Sequence, residues 1–487
     1  MDKTQELKSV RASLEKKAAK ARERITSLVD PMSFVELGAF VKARGASLAA
    51  DSADTTADGV VTGYGTIEDR LVFVYSQDPE TMGGAVGELH AAKIAALYER
   101  AVEVGAPVIG ILDSTGLRLA EQQEALSGYG RIYNAIAKAS GVVPTVSVVV
   151  GTAAGGAAII AGMTDFAVMA ESGAKVFVSS ANAMEKGTTF EAIASAATHA
   201  GKSGLADATA PDEAGCFAMV RELVDMLPAN NEEDAPLYED EDELNRVSTY
   251  LEDVSESEGV DVHTVITELA DKNEFFETKA AYAPGMVTGF MRLNGGTVGV
   301  VANNGAVEDG ALTAEGCRKA VELIRFCDAF ELPVLSIVDT IGFTASKAEE
   351  NAGLAAAAAK LTAAFATTSS SKVTLVTGKA YGSASLVMNS KENGADVVLS
   401  WPAAKFAMMD AVSEARILYA DEIAAGTDLS ELAAKVEELQ TPYAAAARGS
   451  VDDVIEPAAT RKYLLVSFGM LAGKRPLLPQ KKHDTLL

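Results

Sequence analysis

The sequence predicts an α/β protein made of two tandem copies of one domain, and three observations carry that prediction. The first is an internal duplication. "APVIGILDSTG" at 106–116 aligns without gaps with "LPVLSIVDTIG" at 332–342, pairing Pro107 with Pro333, Asp113 with Asp339 and Gly116 with Gly342. The same register, in which 107 falls on 333, aligns "RLVFVYSQD" at 70–78 with "TVGVVANN" at 297–304 and sets Lys93 on Lys319. The second is that the match continues. Gly151, Gly155, Gly156 and Ala157 meet Gly378, Gly382, Ser383 and Ala384; Asp165 meets Asp396; "GLADA" at 204–208 resembles "GSVDDV" at 449–454. The offset grows slowly, as loop insertions make it do. The third is the alternation, in each copy, of short Val/Ile strands with Ala-rich helices, the pattern of βαβ crossovers.

Taken in order, residues 3–25 have helical periodicity and mixed charge, and are expected as an amphipathic helix packed on the domain or on a neighbouring subunit. They open a first domain over 1–228. Within it, 140–164 carries no charge and is long enough to cross a bilayer. Its Pro144, its five glycines and its Val-rich middle instead predict a buried strand, a glycine turn and a helix start. Residues 229–262 are dense in acids and turn formers and read as a solvated linker. A second domain follows over 263–487.

Composition removes several functions. With 42 basic and 68 acidic residues in 487, the net charge is −26, which disfavours a nucleic-acid backbone or an anionic membrane as partner. Three cysteines, none in a CxxC pair, provide neither a disulfide framework nor a zinc ribbon, and fit a reducing cytoplasm. The charged N-terminus has no apolar signal core. No metal site is expected. The four histidines lie in no HExxH or triad context, and there is neither a phosphate-binding GxxxxGK[ST] loop nor a GxSxG elbow.

What remains is glycine placed after a buried strand, once per copy. Gly155-Gly156 follows the strand expected at 146–150, and Gly382-Ser383-Ala384 follows that at 373–377. Glycine there lets successive backbone N–H groups face a cleft, and the following helix start adds its positive dipole end. Such a pair is an oxyanion hole, in which each preorganised donor is worth about 3 kcal/mol. The plainer alternative is close helix–strand packing. Duplication in register, in a chain without other catalytic apparatus, favours two holes.

At these residues the chain resembles the biotin-dependent carboxyltransferases, the β subunits of acyl-CoA carboxylases and the α subunits of sodium-pumping acyl-CoA decarboxylases. The resemblance runs through "ARERITSLVDPMSFVELG" (21–38), "DGVVTGYGTI" (58–67), "GGAVGELHAAKI" (83–94), "DSTGLRL" (113–119) and "THAGKSG" (198–204). It continues in "RFCDAFELPVLSIVDTIGF" (325–343), "GKAYGSASLVM" (378–388), "GADVVLSWPAAKFAMM" (394–409), "ARGSVDDVIEP" (447–457) and the tail "RPLLPQKKHDTLL" (475–487). It implies two tandem crotonase-like domains that move a carboxyl group between carboxybiotin and the α-carbon of an acyl-CoA. By position, Gly155 and Gly156 match the hole for the thioester, with Ala153 and Ala154 beside the coenzyme A. Gly382, Ser383 and Ala384 match the hole for the biotin carbonyl, with Tyr381 and Leu386 beside the ring, Leu386 where the family tunes acyl choice. The resemblance also implies a homo-oligomer, commonly a hexamer, served by a biotin carboxyl carrier protein and by either a biotin carboxylase or a membrane sodium-pump decarboxylase subunit. The chain departs from the family in reading Gly382-Ser383 for Gly-Gly, in Thr115 and Leu117, and in the Ala-rich run after Phe343. Two other readings stay open: a crotonase-type hydratase or isomerase using Glu121 and Glu124, expected on one exposed helix face, and a weakly active assembly subunit.

Overall fold

The computed structural model describes residues 2–44, 58–239 and 242–475, so the expected tail beyond Arg475, His483 included, lies outside them. The chain divides into two compact units, Met1–Asp234 and Ala235–Leu487. In the first, a sheet runs in the order Val35–Leu37, Val60–Ile67, Arg70–Gln77, Val108–Ser114, Thr145–Ala154, Phe166–Ala170, Ala208–Ala210, with Lys175–Phe177 added beside Thr145–Ala154. The second sheet repeats this plan through Phe275–Thr278, Met286–Leu293, Gly296–Asn303, Val334–Thr340, Lys372–Tyr381, Val397–Ser400 and Asp453–Val454, with Lys405–Ala407 added beside Lys372–Tyr381. The expected duplication is therefore structural.

Local chemistry sets strand direction. Glu68-Asp69 and Asn294-Gly295 all take positive φ (49°, 62°, 55°, 75°), as a two-residue hairpin between antiparallel strands requires. Val35–Leu37 and Phe275–Thr278 also pair antiparallel, at one edge of each sheet. From Arg70–Gln77 and Gly296–Asn303 onward the strands pair in parallel, so helices must return the chain: Glu88–Val104, Gln122–Ala139 and Gly156–Met163 do so in the first unit. Paired residues repeat their tasks. Asp165 accepts the N–H of Thr145 and Asp396 that of Lys372, both at 2.8 Å. Asp207 accepts from Ala167 (2.8 Å) and Asp452 from Val398 (2.7 Å). Lys93 is held by Val60 O (2.5 Å), while the buried Lys319 is held by Lys279 O (2.8 Å) and Tyr282 O (3.0 Å).

The uncharged stretch 140–164 forms the strand Thr145–Ala154, a turn and the helix Gly156–Met163, as expected. Among the described residues, no helix is long and apolar enough to cross a membrane. The opening segment differs from expectation. It is two helices, Lys3–Lys16 and Ala19–Leu28, broken at Ala18 (φ 54°). The first buries no side chain and the second buries Ala21, Arg24, Ile25 and Leu28, so only the second is held by packing. The acidic segment is exposed over 231–234 and 237–239 and is anchored at its ends. Asn230 and Asn231 bond Gly105 and Val142 in the first unit. Helix Thr249–Val254 inserts Leu251 into the second unit's core, which includes Ile266, Val300, Leu375 and Trp401.

In the second unit His263, in the first turn of helix Val262–Leu269, lies between two carboxylates. Glu277 Oε2 is 3.0 Å from Nε2 and Asp261 Oδ1 is 2.6 Å from Nδ1. Glu277 first, then Asp261, pushes its pKa up from 6.5 to about 9 against partial burial. A raised folded-state value means that this contribution is complete below the ordinary value and is lost as pH rises through about 9. His263→Gln should therefore flatten the decline of the melting temperature between pH 6.5 and 9. Parallel melting-temperature profiles for the two proteins would contradict the assignment.

Candidate active site

Each site begins with a carboxylate inside a sheet. Val108–Ser114 pairs with Thr145–Ala154 in steady register as far as Leu112↔Val149, and then Ser114 meets Ala153. The longer strand thus bulges by two residues at the level of Asp113. Asp113 Oδ1 accepts the Thr152 N–H (3.2 Å), and Gly151 lies so close to the carboxylate that a Cβ would run into it. The second unit repeats this. Val338↔Val376 is followed by Thr340↔Ala380; Asp339 Oδ1 accepts the Lys379 N–H (2.8 Å), and Gly378 faces the carboxylate.

The bulge redirects the strand. Thr145–Ala154 pairs with Phe166–Ala170 up to Val149↔Met169, and its last residues then pair with Lys175–Phe177. Lys372–Tyr381 likewise leaves Val397–Ser400 after Val376↔Ser400 and joins Lys405–Ala407. Each redirected strand ends in a turn. Gly155 has φ 58° and ψ −115°, a conformation that side chains disfavour, and Gly382 has φ 59°. Helices Gly156–Met163 and Gly382–Val387 start at these turns, and the first N–H groups of a helix have no intrahelical acceptor.

The sequence-predicted residues therefore fall in two clusters, one per unit. Ala153 and Ala154 are buried at the end of the first bent strand, so they offer little but backbone; Gly155 and Gly156 make its turn. The Gly155 N–H is taken by Phe177 O (2.8 Å) and the Ala158 N–H by Gly155 O (3.1 Å), so the helix-start N–H groups between them are those of Gly156 and Ala157. In the second unit Tyr381 ends the strand and Ala384 is buried, while Gly382, Ser383 and Leu386 line a cavity of about 740 Å³. Val376, Val398, Phe406 and Leu439 form apolar parts of its wall.

Two more glycines belong to these clusters and were not singled out from sequence. Gly116 (φ 105°) lies where a Cβ would sit 3.2 Å from Ala154 O, and its N–H rests on Ser114 Oγ (3.2 Å). Gly342 (φ 135°) repeats this on Thr340 Oγ1 (3.2 Å). Their signal was the duplicated motif itself, in which they align.

The surroundings differ between units. In the first, the buried Arg24 bonds Asp113 Oδ2 (3.0 Å) and Glu213 Oε1 (2.6 Å). In the second, burial pushes the Asp339 carboxyl up, opposed by the Lys379 N–H and ammonium. Glu121 corrects an expectation. It is 7% exposed, paired with Arg118 (2.7 Å) and accepting the Glu88 N–H (2.7 Å), because it caps a helix; only Glu124 is exposed.

The carboxyl transferase domain model matches residues 14–486. The chain belongs to the carboxyl transferase family. It is 39% identical over 478 residues to the methylmalonyl-CoA decarboxylase α subunit of Propionigenium modestum, covering 96% of this chain and 92% of that one. It is 39% identical over 474 residues to the propionyl-CoA carboxylase β chain of Roseobacter denitrificans, covering 96% and 93%. A solved structure of transcarboxylase 12S, a hexamer with methylmalonyl-coenzyme A and methylmalonic acid bound, superposes with a TM-score of 0.95 at 36% identity, covering 99% of this chain and 97% of that one. The paired sheets are thus two tandem domains of a carboxyl transferase, and the chain is an enzyme of that class.

The geometry constrains mutagenesis of this carboxyl transferase. A Cβ at Gly155 would meet nothing within 4 Å, whereas one at Gly156 would lie 2.6 Å from Tyr129 Cε1, and Tyr129 is buried. Gly156→Val should therefore destabilise the first unit by about 1–3 kcal/mol through overpacking. A lowered melting temperature checks this, and a melting temperature equal to wild type would contradict it.

Proposed function

We propose that this chain is the carboxyltransferase subunit of a biotin-dependent complex and moves a carboxyl group between biotin and the α-carbon of an acyl-CoA. The observation that carries the reading is the repetition of one device, a carboxylate-bulged strand ending in a glycine turn and a helix start, in both units. The chemistry needs it twice. An acyl-CoA deprotonated at its α-carbon develops charge on the thioester oxygen, and a ureido ring losing its carboxyl develops charge on its carbonyl oxygen. Preorganised N–H groups stabilise both.

In this assignment Gly156, with the turn at Gly155, serves the thioester, while Ala153 and Ala154 flank the coenzyme A. Ser383 and Ala384, with Gly382, serve the ureido carbonyl; Tyr381 and Leu386 flank the ring. The second cavity suits that ring, being large enough, mostly apolar in wall and open to the Gly382 turn. Biotin supplies the ring nitrogen that carries the carboxyl group. The protein's residues hold the ring and stabilise charge. A hydratase or isomerase is disfavoured because it needs one such turn, and because Glu121 is committed to Arg118.

The partners we propose are a biotin carboxyl carrier protein and either a biotin carboxylase or a membrane decarboxylase subunit. We further propose a cytoplasmic homo-oligomer, a hexamer as in transcarboxylase 12S.

The test uses the full chain with free biotin and, separately, malonyl-, methylmalonyl- and glutaconyl-CoA, followed by mass spectrometry. Biotin-dependent loss of carboxyl from one thioester is expected. Its absence with all three, from a folded oligomer, would favour an assembly subunit. Ser383→Pro removes one backbone donor at a helix start, where proline is tolerated, and Ser383→Ala keeps it. The proline variant should turn over roughly 10²–10³-fold more slowly than the alanine variant. Equal rates would remove Ser383 from the hole.

A further inference from the structure

One histidine holds the strand that lies beside the first glycine turn. His199 opens the π turn His199–Ser203 within the "THAGKSG" motif, and it is half-buried. Its Nε2 is 2.8 Å from Val176 O and its Nδ1 is 2.8 Å from Ser203 Oγ. A carbonyl oxygen only accepts, so Nε2 carries the proton and donates to it. In the neutral ring Nδ1 then accepts the Ser203 hydroxyl, whose oxygen accepts the Leu205 N–H (3.3 Å). The imidazole is oriented from both nitrogens.

The place of this bond gives it meaning. Val176 is the middle residue of strand Lys175–Phe177, which pairs with Thr152, Ala153 and Ala154 and whose Phe177 O accepts the Gly155 N–H (2.8 Å). Among the described residues, the other edge of this strand meets no second strand, only an isolated bridge from Lys175 to Ser195. Three residues bonded along one edge can pivot about that row of bonds, and a pivot would carry Phe177 O away from Gly155. Successive carbonyls point to opposite edges, so Val176 O faces outward, where His199 takes it. The second unit secures its added strand by a backbone bond instead: Phe406, at the position of Val176, donates its N–H to Gln440 O (2.8 Å).

We propose that His199 is a positioning residue of the thioester site: by holding Val176 O it fixes strand Lys175–Phe177, and with it the Gly155 turn that aims the Gly156 and Ala157 N–H groups. The proposal rests on the assignment of that turn to the acyl-CoA thioester.

The experiment titrates the full chain with acetyl-CoA and with S-ethyl-CoA by isothermal calorimetry. The thioether keeps the coenzyme and lacks the carbonyl oxygen. The wild-type protein should bind the thioester about tenfold more tightly, as one hydrogen bond to that oxygen is worth. His199→Leu should bring the two affinities to within about threefold of each other. His199→Gln, whose amide nitrogen reaches where Nε2 stands, should restore the wild-type ratio. A ratio of dissociation constants is unmoved by a smaller folded fraction, so a merely structural loss would leave it intact. Should the leucine variant melt early, His199→Asn replaces it: its nitrogen reaches only as far as Nδ1, and it should lose the discrimination that glutamine keeps. If the wild type discriminates and the leucine or asparagine variant discriminates equally well, the His199 assignment falls while the turn's stands. If the wild type binds the two alike, or binds neither, the assignment of the turn to the thioester falls and this proposal with it.

Discussion

A carboxylate inside a parallel sheet is the constraint on which both sites depend. Sheet N–H groups are normally committed to the neighbouring strand, and a buried carboxylate without donors is strongly disfavoured. Asp113 and Asp339 resolve this by displacing the adjacent strand by two residues, which turns the N–H of Thr152 or Lys379 toward the side chain. Room for the displaced backbone exists only because Gly151 and Gly378 carry no Cβ. Once bulged, the strand can no longer follow its outer neighbour and takes a new one. The turn and the helix start are then delivered to the edge of the sheet. The placement of the turn is thus a consequence of one half-buried acid, and the helix dipole only adds to it.

The two copies keep this geometry and differ in what surrounds it. In the first, Arg24 joins Asp113 to Glu213, and Arg118 joins Asp58 to Glu121, so the flanking segments are tied by buried ion pairs. Removing one partner of such a pair is costly, typically about 3–5 kcal/mol, because the other is left buried and charged. In the second, Glu349 caps helix Ala314–Ala329 through the Ala314 N–H (2.7 Å), as Glu121 caps Glu88–Val104 through Glu88. Among the described residues, Lys379 forms ion pairs with two exposed acids, Glu258 at 4.0 Å and Asp309 at 3.3 Å. Beside its bulged strand the first unit is tied by these buried pairs, whereas the large cavity lies beside that of the second.

Much of this was legible in the sequence. The duplication, the paired glycines and the strand–turn–helix reading of 140–164 need only pattern and turn chemistry, and the resemblance to the carboxyltransferases rests on motifs in fixed order. Asp113 and Asp339 were visible as an aligned pair, but no periodicity reveals that their side chains bend the neighbouring strand. That bond spans about 40 residues of chain. Gly116 and Gly342 were likewise visible as an aligned pair, but nothing in the sequence ties them to the ends of the bent strands. Glu121 read as exposed because three-residue spacing from Glu124 describes one helix face, whereas a change of path at Gln122 (φ 46°) turns Glu121 inward to Arg118. The break at Ala18 left no mark in helical periodicity, because it follows from which half of the segment finds a core.

The departure from Gly-Gly at Gly382-Ser383 follows from the same geometry. The residue that must be glycine at each turn is the first, at φ near +58°, and both copies retain it as Gly155 and Gly382. The second residue already has helical backbone, so its demand for glycine comes from neighbours alone. In the first unit Tyr129 lies against that position and excludes a side chain at Gly156. In the second the equivalent residue, Ser383, is exposed at the cavity and its side chain is accommodated. A backbone donor is indifferent to the side chain it carries, provided the chain can reach the conformation. That indifference lets the second turn vary in sequence, and it is consistent with a carboxyl transferase that places no histidine at either turn.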